Sequence, residues 1–188
     1  NGNKFMTTGS GGMILTNDKK IAKQAMYLTT QAKNNSLYYI HNEVGYNFRL
    51  NNIQAALGIV QLERLPYFLK QKRKIREYYI DKVNMIKGLS IALVPDYAEN
   101  NHWLNILEIS KRLSKKKFSK IIQYLGKHGI EVRPIWYPNH LQKMYKKCQA
   151  YKLNNIKKIY QNRLCLPSSS QLTVKQQNFI CKKLNNIF

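Results

Sequence analysis

Three separated segments of the chain carry residues that could do chemistry. The first is Lys4, just ahead of the glycine-rich segment FMTTGSGGMILT at residues 5–16. A lysine amine can condense with a carbonyl group when rigid backbone holds it facing a cofactor. The glycines permit positive φ angles and close backbone approach, so this turn could supply rigidity and space. In a chain this rich in lysine, the alternative is an ordinary solvated side chain.

The second segment is GYNFRL at residues 45–50, followed by NNIQAALGIVQLERL. Asn47 offers amide donors and Arg49 a cation at the start of the helix that should follow. A helix N-terminus with such neighbours suits a phosphate group, because its backbone N–H groups point outward. The alternative is a simple helix cap with an arginine on the surface.

The third segment is GIEVRPIWYPNH at residues 129–140. It predicts a strand that leaves four functional side chains near one end: Arg133, Trp136, Tyr137 and His140. Aromatic rings and hydrogen-bonding groups in such a set can stack on a sugar or base and bind hydroxyl groups. An edge strand with ordinary aromatic packing is the alternative.

The elements around the first two segments follow from the apolar spacing. Residues 5–16 predict a strand–turn–strand unit. Asn17 or Asp18 should cap a helix to about Leu28, with an apolar inner side made of Ile21, Ala22, Ala25, Met26 and Leu28. Residues 30–50 lack periodicity, so we expect a long loop, and such loops are often functional.

A long helix should follow, with Asn51 or Asn52 as its cap. Pro66 should kink or break it, because proline lacks a backbone N–H and clashes with the preceding turn. A second amphipathic stretch then runs to about Ile86, and Gly88 ends it. Its expected apolar face comprises Leu69, Ile75, Tyr79, Val83 and Ile86.

The rest of the chain alternates between strand and helix patterns. Strands are predicted at 89–94, 102–110 and 130–136, and helices at 114–127, 140–147, 153–164 and 173–184. This alternation indicates a small α/β domain behind the long helix. We place the boundary near residue 87, giving domains at 1–87 and 88–188.

Composition narrows the possible classes of protein. The net charge of +23 would suit a polyanion such as nucleic acid, but the lysines are dispersed and accompany abundant Asn, Ile and Tyr, as A/T-rich coding produces. Cys148, Cys165 and Cys181 form no CxxC pair, so we expect no metal site and reduced thiols in a cytoplasmic protein. No apolar run approaches the roughly 20 residues of a membrane-spanning helix. Because no initiator Met stands before Asn1, we expect a chain cut at its N-terminus.

Two blocks, GNK–TTGxGGMI and GYNFRLNNIQAALGIVQLERL, lie about 40 residues apart. Together and in this order they resemble the DegT-type nucleotide-sugar aminotransferases. These are pyridoxal-phosphate (PLP) enzymes of fold type I, similar to aspartate aminotransferase. The resemblance covers the second half of such an enzyme. It implies an α/β fold made of the end of the large domain and the small C-terminal domain.

The resemblance also implies roles for single residues. Lys4 matches the family lysine that holds PLP covalently and moves a proton during the reaction. Asn47 matches the asparagine that reaches the PLP phosphate of the neighbouring subunit, which implies a homodimer with shared active sites. Arg49 would support that contact or the substrate. Ser10 stands where the family usually has glycine, and a small side chain should be tolerated there if φ permits.

The expected substrates come from the same resemblance. The segment with Arg133, Trp136, Tyr137 and His140 resembles the family loop that faces the sugar nucleotide. RPIW, NHWLN and LPSS look most like the branch that aminates C4 of 4-keto-6-deoxy sugar nucleotides, as in bacillosamine and legionaminic acid routes, with glutamate as donor. The alternatives are a truncated or inactive relative and, from another class, a basic nucleic-acid-binding module.

One part of the family's machinery is absent from the pattern. A PLP enzyme needs an acidic partner for the pyridine nitrogen, which the family places upstream of the lysine. Asp18, Asp81 and Asp96 are the aspartates of this chain, and none stands in a matching motif. We therefore expect that these 188 residues alone do not transaminate.

Overall fold

The structure is a computed structural model that describes residues 4–35 and 37–188, with only the backbone of residues 157 and 158. The chain divides into two compact units, Asn1–Pro66 and Tyr67–Phe188, here called unit 1 and unit 2. No helix among the described residues has the length and apolar character needed to cross a membrane.

The described residues of unit 1 form two complete helices and one short hairpin. Helix α1 covers Lys19–Thr29, and the Asp18 carboxylate caps it by accepting from the backbone N–H groups of Lys20 and Ile21. Strands β1 (Lys33–Asn35) and β2 (Ile40–His41) pair antiparallel within the predicted long loop. The prediction of helix α1 and of its cap is confirmed.

The predicted strand–turn–strand unit at residues 5–16 is wrong, because these residues form neither helix nor strand. A strand needs a neighbour to pair its backbone groups, and an isolated two-stranded hairpin is marginal in water. Met13 and Leu15 are 83% and 85% exposed, so the second apolar run covers nothing within its unit.

Helix α2 covers Asn52–Glu63 and begins with a capping box. The Asn51 side chain accepts from the N–H of Gln54, and the Gln54 side chain accepts from the N–H of Asn51. No residue of α1 or α2 is buried, although both helices carry apolar side chains. The predicted inner face of α1 is therefore wrong: Ile21 and Met26 are 54% and 66% exposed.

The break predicted at Pro66 is confirmed. Helix α2 ends at Glu63, and α3 covers Leu65–Val83, so Pro66 occupies the first turn of α3. Proline is tolerated there because the first backbone N–H groups of a helix have no partner within it. Ile75, Tyr79 and Val83 are buried on the face that the spacing predicted. The helix ends before Gly88, whose φ of 83° makes the turn into the next strand.

Unit 2 is centred on a four-stranded sheet in the order β3-β4-β6-β5, with every pair antiparallel. Its strands are β3 (Leu89–Ile91), β4 (Asn105–Ile109), β5 (Arg133–Pro134) and β6 (Arg163–Leu166). Buried residues alternate along β4, which is the pattern of a strand with one face toward the core.

Three further helices complete unit 2: α4 (Lys115–Lys127), α5 (Ile156–Gln161) and α6 (Val174–Asn185). Ser114 and Thr173 cap α4 and α6 by accepting from backbone N–H groups three residues on. The core joins α3, the sheet, α4 and α6. Its fully buried apolar side chains include Tyr79, Val83, Leu107, Leu125, Leu164 and Leu184.

The predictions for residues 140–166 need two corrections. The helix predicted at 140–147 is replaced by two 3₁₀ turns, Asn139–Leu141 and Lys143–Tyr145. The end of the helix predicted at 153–164 overlaps β6, which sequence reasoning missed. β6 is a central strand, and its short apolar run RLCL carries no helical or alternating period long enough to identify it.

Candidate functional site

Lys4 lies at the start of a segment that is fastened to α2 at two points. The backbone N–H of Thr7 donates to Oε1 of Gln61 at 3.3 Å, and Nε2 of Gln54 donates to Oγ of Ser10 at 2.6 Å. The Lys4 side chain is exposed. Gly2 and Asn3, which share the motif with Lys4, lie outside the described residues.

Close approach explains the glycines beside Lys4. Gly9 and Gly11 have φ angles of 83° and 117°, which side chains rarely permit. A methyl group on Gly58 of α2 would lie 3.1 Å from Cγ2 of Thr8. Ser10 is not among the described residues with positive φ, so it replaces glycine without backbone strain and gains the bond from Gln54.

Asn47 is held by its backbone. It forms an antiparallel bridge with Thr30, and its neighbours extend the same pairing. The N–H of Gln31 donates to the carbonyl of Tyr46 at 3.1 Å, and that of Phe48 donates to Thr29 at 3.0 Å. The Asn47 side chain is left exposed, so the backbone fixes its position while its amide remains accessible.

The turn that opposes Asn47 is strained. Gln31 and Ala32 have φ angles of 73° and 49°, values that residues with a β-carbon seldom adopt. The ring Nδ1 of His41 lies 2.8 Å from the carbonyl oxygen of Gln31 and supports this turn. Sequence reasoning assigned no role to His41, Gln54 or Gln61, since their effect depends on contacts distant in sequence.

The donor set in unit 1 fits an anionic aldehyde cofactor. Lys4, Asn47 and Arg49 are all exposed. Within residues 4–35 and 37–188, no carboxylate forms an ion pair with Lys4 or Arg49. Their amine, amide and guanidinium groups are the types that bind a carbonyl carbon and a phosphate. The residues present therefore fit PLP.

The four candidate substrate residues lie in unit 2 but have different neighbours. Arg133 pairs with Glu131 at 2.6 Å, and both side chains are exposed. The Trp136 ring lies 5.7 Å from that of Trp103, and the Tyr137 ring meets Tyr160 edge to face at 5.3 Å. These contacts hold each ring in a defined place.

His140 lines a cleft of about 420 Å³ formed by residues 138–156. Tyr145 and Tyr151 contribute rings to the same cleft. Of the four predicted substrate residues, His140 is the one whose side chain borders this cavity. None of the residues that line the cleft is Asp or Glu, so its lining carries no negative charge that would oppose an anionic ligand.

A buried polar cluster in unit 2 was not predicted. The Lys72 amine donates to the carbonyl oxygens of Trp103, at 3.1 Å, and Ser168. The backbone and side-chain N–H groups of Asn105 both donate to Oγ of Ser168 at 3.0 Å. Burial lowers the pKa of Lys72. The chain contains many lysines, and the sequence around Lys72 does not indicate that this one is buried. Only the fold could reveal this cluster.

Residues 1–185 match the family model described as the DegT/DnrJ/EryC1/StrS aminotransferase family. The chain belongs to this family. The expected family and its α/β fold are thus confirmed.

Two curated relatives align with the whole chain. EpsN of Bacillus subtilis (strain 168), named as a candidate pyridoxal phosphate-dependent aminotransferase, is 34% identical over 100% of this chain and 49% of its own length. GDP-perosamine synthase of Escherichia coli O157:H7 is 32% identical over 100% of this chain and 50% of its own. The chain spans about half the length of the curated relatives it matches.

A solved structure shows the same fold. The aminotransferase TlmJ from Streptoalloteichus hindustanus superposes with a TM-score of 0.83 at 21% identity. The match covers 97% of this chain and 49% of TlmJ.

Proposed function

We propose that this chain is the C-terminal half of a PLP-dependent nucleotide-sugar aminotransferase. The complete protein would move an amino group from glutamate to the C4 keto group of a 4-keto-6-deoxy sugar nucleotide. The observation that carries the proposal is the exposed Lys4 at the head of a glycine-rich turn fastened to α2, within a chain that matches the family from residue 1 to 185. The relatives named above, a PLP-dependent aminotransferase and a sugar-nucleotide enzyme, support the cofactor and the substrate class.

Lys4 would hold the cofactor and then act as a base. When bound, PLP withdraws electrons from the carbon that gains or loses the amino group. Nζ of Lys4 would take the proton from Cα of glutamate and would later give a proton to C4 of the sugar. The balanced overall change converts glutamate to 2-oxoglutarate and the keto sugar to an amino sugar.

Asn47 and Arg49 would bind the cofactor's phosphate, Asn47 serving the site of a second subunit. The backbone bridge to Thr30 presents the Asn47 amide at a fixed place, which reduces the entropy lost on binding. Unit 1 also exposes many apolar side chains on α2, among them Ile53, Ile59, Val60 and Leu62. Contiguous exposed apolar surface is typical of a surface covered by another chain or domain, and this supports the homodimer.

Arg133, Trp136, Tyr137 and His140 would bind the sugar nucleotide. Rings fixed by Trp103 and Tyr160 offer flat apolar faces, and His140 and Arg133 offer polar contacts. The basic surroundings suit a diphosphate.

The test uses a full-length protein that carries this chain, with Lys4→Ala compared with Lys23→Ala. Lys23 is an exposed lysine of α1 and serves as the matched control. We expect Lys4→Ala to lose the visible absorbance of lysine-bound PLP and the transamination of the sugar, while Lys23→Ala keeps both. Persistence of that absorbance in Lys4→Ala would refute the assignment of Lys4.

The 188-residue chain alone should be inactive, since it lacks an aspartate in the motif for the pyridine nitrogen. Turnover of glutamate and a 4-keto sugar nucleotide by the isolated chain would contradict this expectation. The same assay with the full-length protein is the positive control.

A further inference from the structure

Lys72 is a lysine that the fold buries: 7% of its surface is exposed. Lysine is rarely buried, because removing its amine from water is costly unless hydrogen bonds replace the lost hydration. Here two backbone carbonyl oxygens accept from the amine, those of Trp103 and Ser168. A hydrophobic side chain could stabilise the fold at this place as well as a charged one. The two hydrogen bonds of Lys72 therefore point to a role in positioning the segments that it binds.

The two acceptors belong to segments far apart in sequence. Trp103 lies two residues before β4, and Ser168 lies two residues after β6. Lys72 of α3 thus binds both the segment that precedes β4 and the segment that follows β6, next to the place where these two strands pair. Asn105 binds Ser168 through two further hydrogen bonds, so the junction around Lys72 is rigid.

The Trp103 side chain is in contact with Trp136. The two rings lie 5.7 Å apart at an interplanar angle of 38°. Trp136 is 63% exposed, so Trp103 is the neighbour that restrains its ring on one side. A shift of the Trp103 backbone would therefore move the surface against which Trp136 rests.

We propose that Lys72 is a positioning residue: by holding the Trp103 carbonyl it sets the place of the Trp103–Trp136 ring pair, and so the affinity for the sugar nucleotide. The inference rests on the proposed function, in which Trp136 contacts that substrate. Lys72 itself touches neither substrate nor cofactor in this role.

The first arm of the test observes the rings directly. The full-length protein is labelled with fluorotryptophan, and the fluorine NMR signals are assigned through Trp103→Phe and Trp136→Phe. Lys72→Met keeps the length of the side chain and removes its N–H donors, so both signals should shift. Tyr79→Phe is the matched control, because the Tyr79 hydroxyl donates to the carbonyl of Pro167 at 2.9 Å, from the same helix to the same segment, whereas the Lys72 amine binds the Trp103 carbonyl itself. Its two tryptophan signals should stay in place.

The second arm measures kinetics. Lys72→Met should raise KM for the sugar nucleotide roughly fivefold or more, while kcat and KM for glutamate stay within about twofold. In a Trp136→Ala background the same substitution should add little to KM, since residues that act through one contact are not additive. A general loss of structure would instead lower kcat and weaken the binding of both substrates.

Unmoved tryptophan signals in folded Lys72→Met would overturn the proposal, and so would fully additive effects in the double variant. If Lys72→Met does not fold, Lys72→Gln keeps an amide NH2 group with two N–H donors and should give smaller shifts of the same kind. An unchanged KM in Trp136→Ala alone would contradict the substrate role of Trp136 in the proposed function, whereas the NMR arm decides the role of Lys72 separately.

Discussion

A β-carbon on Gly45 would lie 2.3 Å from the backbone nitrogen of Ala32. Side chains essentially never come so close to backbone, so only glycine fits at residue 45. Ala32 is fully buried and adopts a positive φ, so its backbone cannot readily shift to make room. The pair therefore locks the strained turn to the segment that carries Asn47 two residues later.

Gly45→Ala should destabilise the full-length protein and weaken its binding of PLP. Forcing a methyl group into this contact costs about 1–3 kcal/mol of unfolding free energy, and the displaced backbone would carry Asn47 with it. Denaturant unfolding and PLP titration measure the two effects. Gly126→Ala in α4 is the control: apart from its chain neighbours and the adjoining backbone of its own helix, no atom lies within 4 Å of the added carbon, so roughly 0.5–1 kcal/mol of stability should be gained. Equal behaviour of the two variants would refute the contact.

A residue of the candidate site could be predicted from the sequence when its partners are close to it along the chain. It could not be predicted when they are distant in sequence. Lys4, Asn47 and Arg49 were selected from local residue type and the family resemblance, and their roles stay predictions. The supports of the site were not predictable. Gln61 meets Thr7 across 54 residues, and no local pattern indicates such a pair.

Leu107 should be among the most costly residues to truncate. It lies in β4, a central strand, and is fully buried in the core of unit 2. Leu107→Ala removes buried methyl groups and leaves a cavity, so the unfolding free energy should fall by about 2–5 kcal/mol.

Leu93→Ala is the matched control for Leu107→Ala. Leu93 is 91% exposed, and its truncation should change stability by no more than about 0.5 kcal/mol. Comparable losses in both variants, measured by urea unfolding, would show that this core is wrongly placed.

The elements of the fold that depend on local contacts were predicted from the sequence, and those that depend on distant contacts were not. Capped amphipathic helices such as α4 and α6 were predicted, because Ser114 and Thr173 bind N–H groups only three residues on. β6 was missed, since a four-residue strand owes its existence to β4 and β5 on either side. Residues 5–16 show the reverse case: their pattern predicted strands, and no strand among the described residues of the unit pairs with them.

The three cysteines should react with alkylating reagents in a fixed order. Cys148 is exposed, Cys165 is half-buried and Cys181 is buried. Burial raises the pKa of Cys165 and Cys181, which lowers the fraction of reactive thiolate. Mass spectrometry of iodoacetamide-treated protein should show Cys148 modified first and Cys181 last. Early modification of Cys181 would mean that α6 opens readily.

The Cys181 thiol should also make stability depend on alkaline pH. Burial raises its pKa from 9.0 to about 11, with a smaller opposing effect from Lys82. Between these values the unfolded chain loses the thiol proton and the folded chain keeps it. The unfolded state then binds fewer protons, so stability is fully present below pH 9 and falls as pH rises toward 11.

Cys181→Ala isolates this effect from other groups that titrate nearby. Burial lowers the pKa of Lys72, and this effect remains in the variant and cancels in the comparison. Burial also raises the pKa of Tyr79 and is retained, whereas the smaller increase that the Cys181 thiolate causes in Tyr79 is lost together with the thiol and belongs to the measured difference. The stability advantage of the natural chain over Cys181→Ala should therefore shrink above pH 9, by at most about 1.4 kcal/mol per pH unit. Urea unfolding at a series of pH values measures the difference. Parallel curves would mean that the thiol ionises equally in both states and would contradict its burial in the core of unit 2.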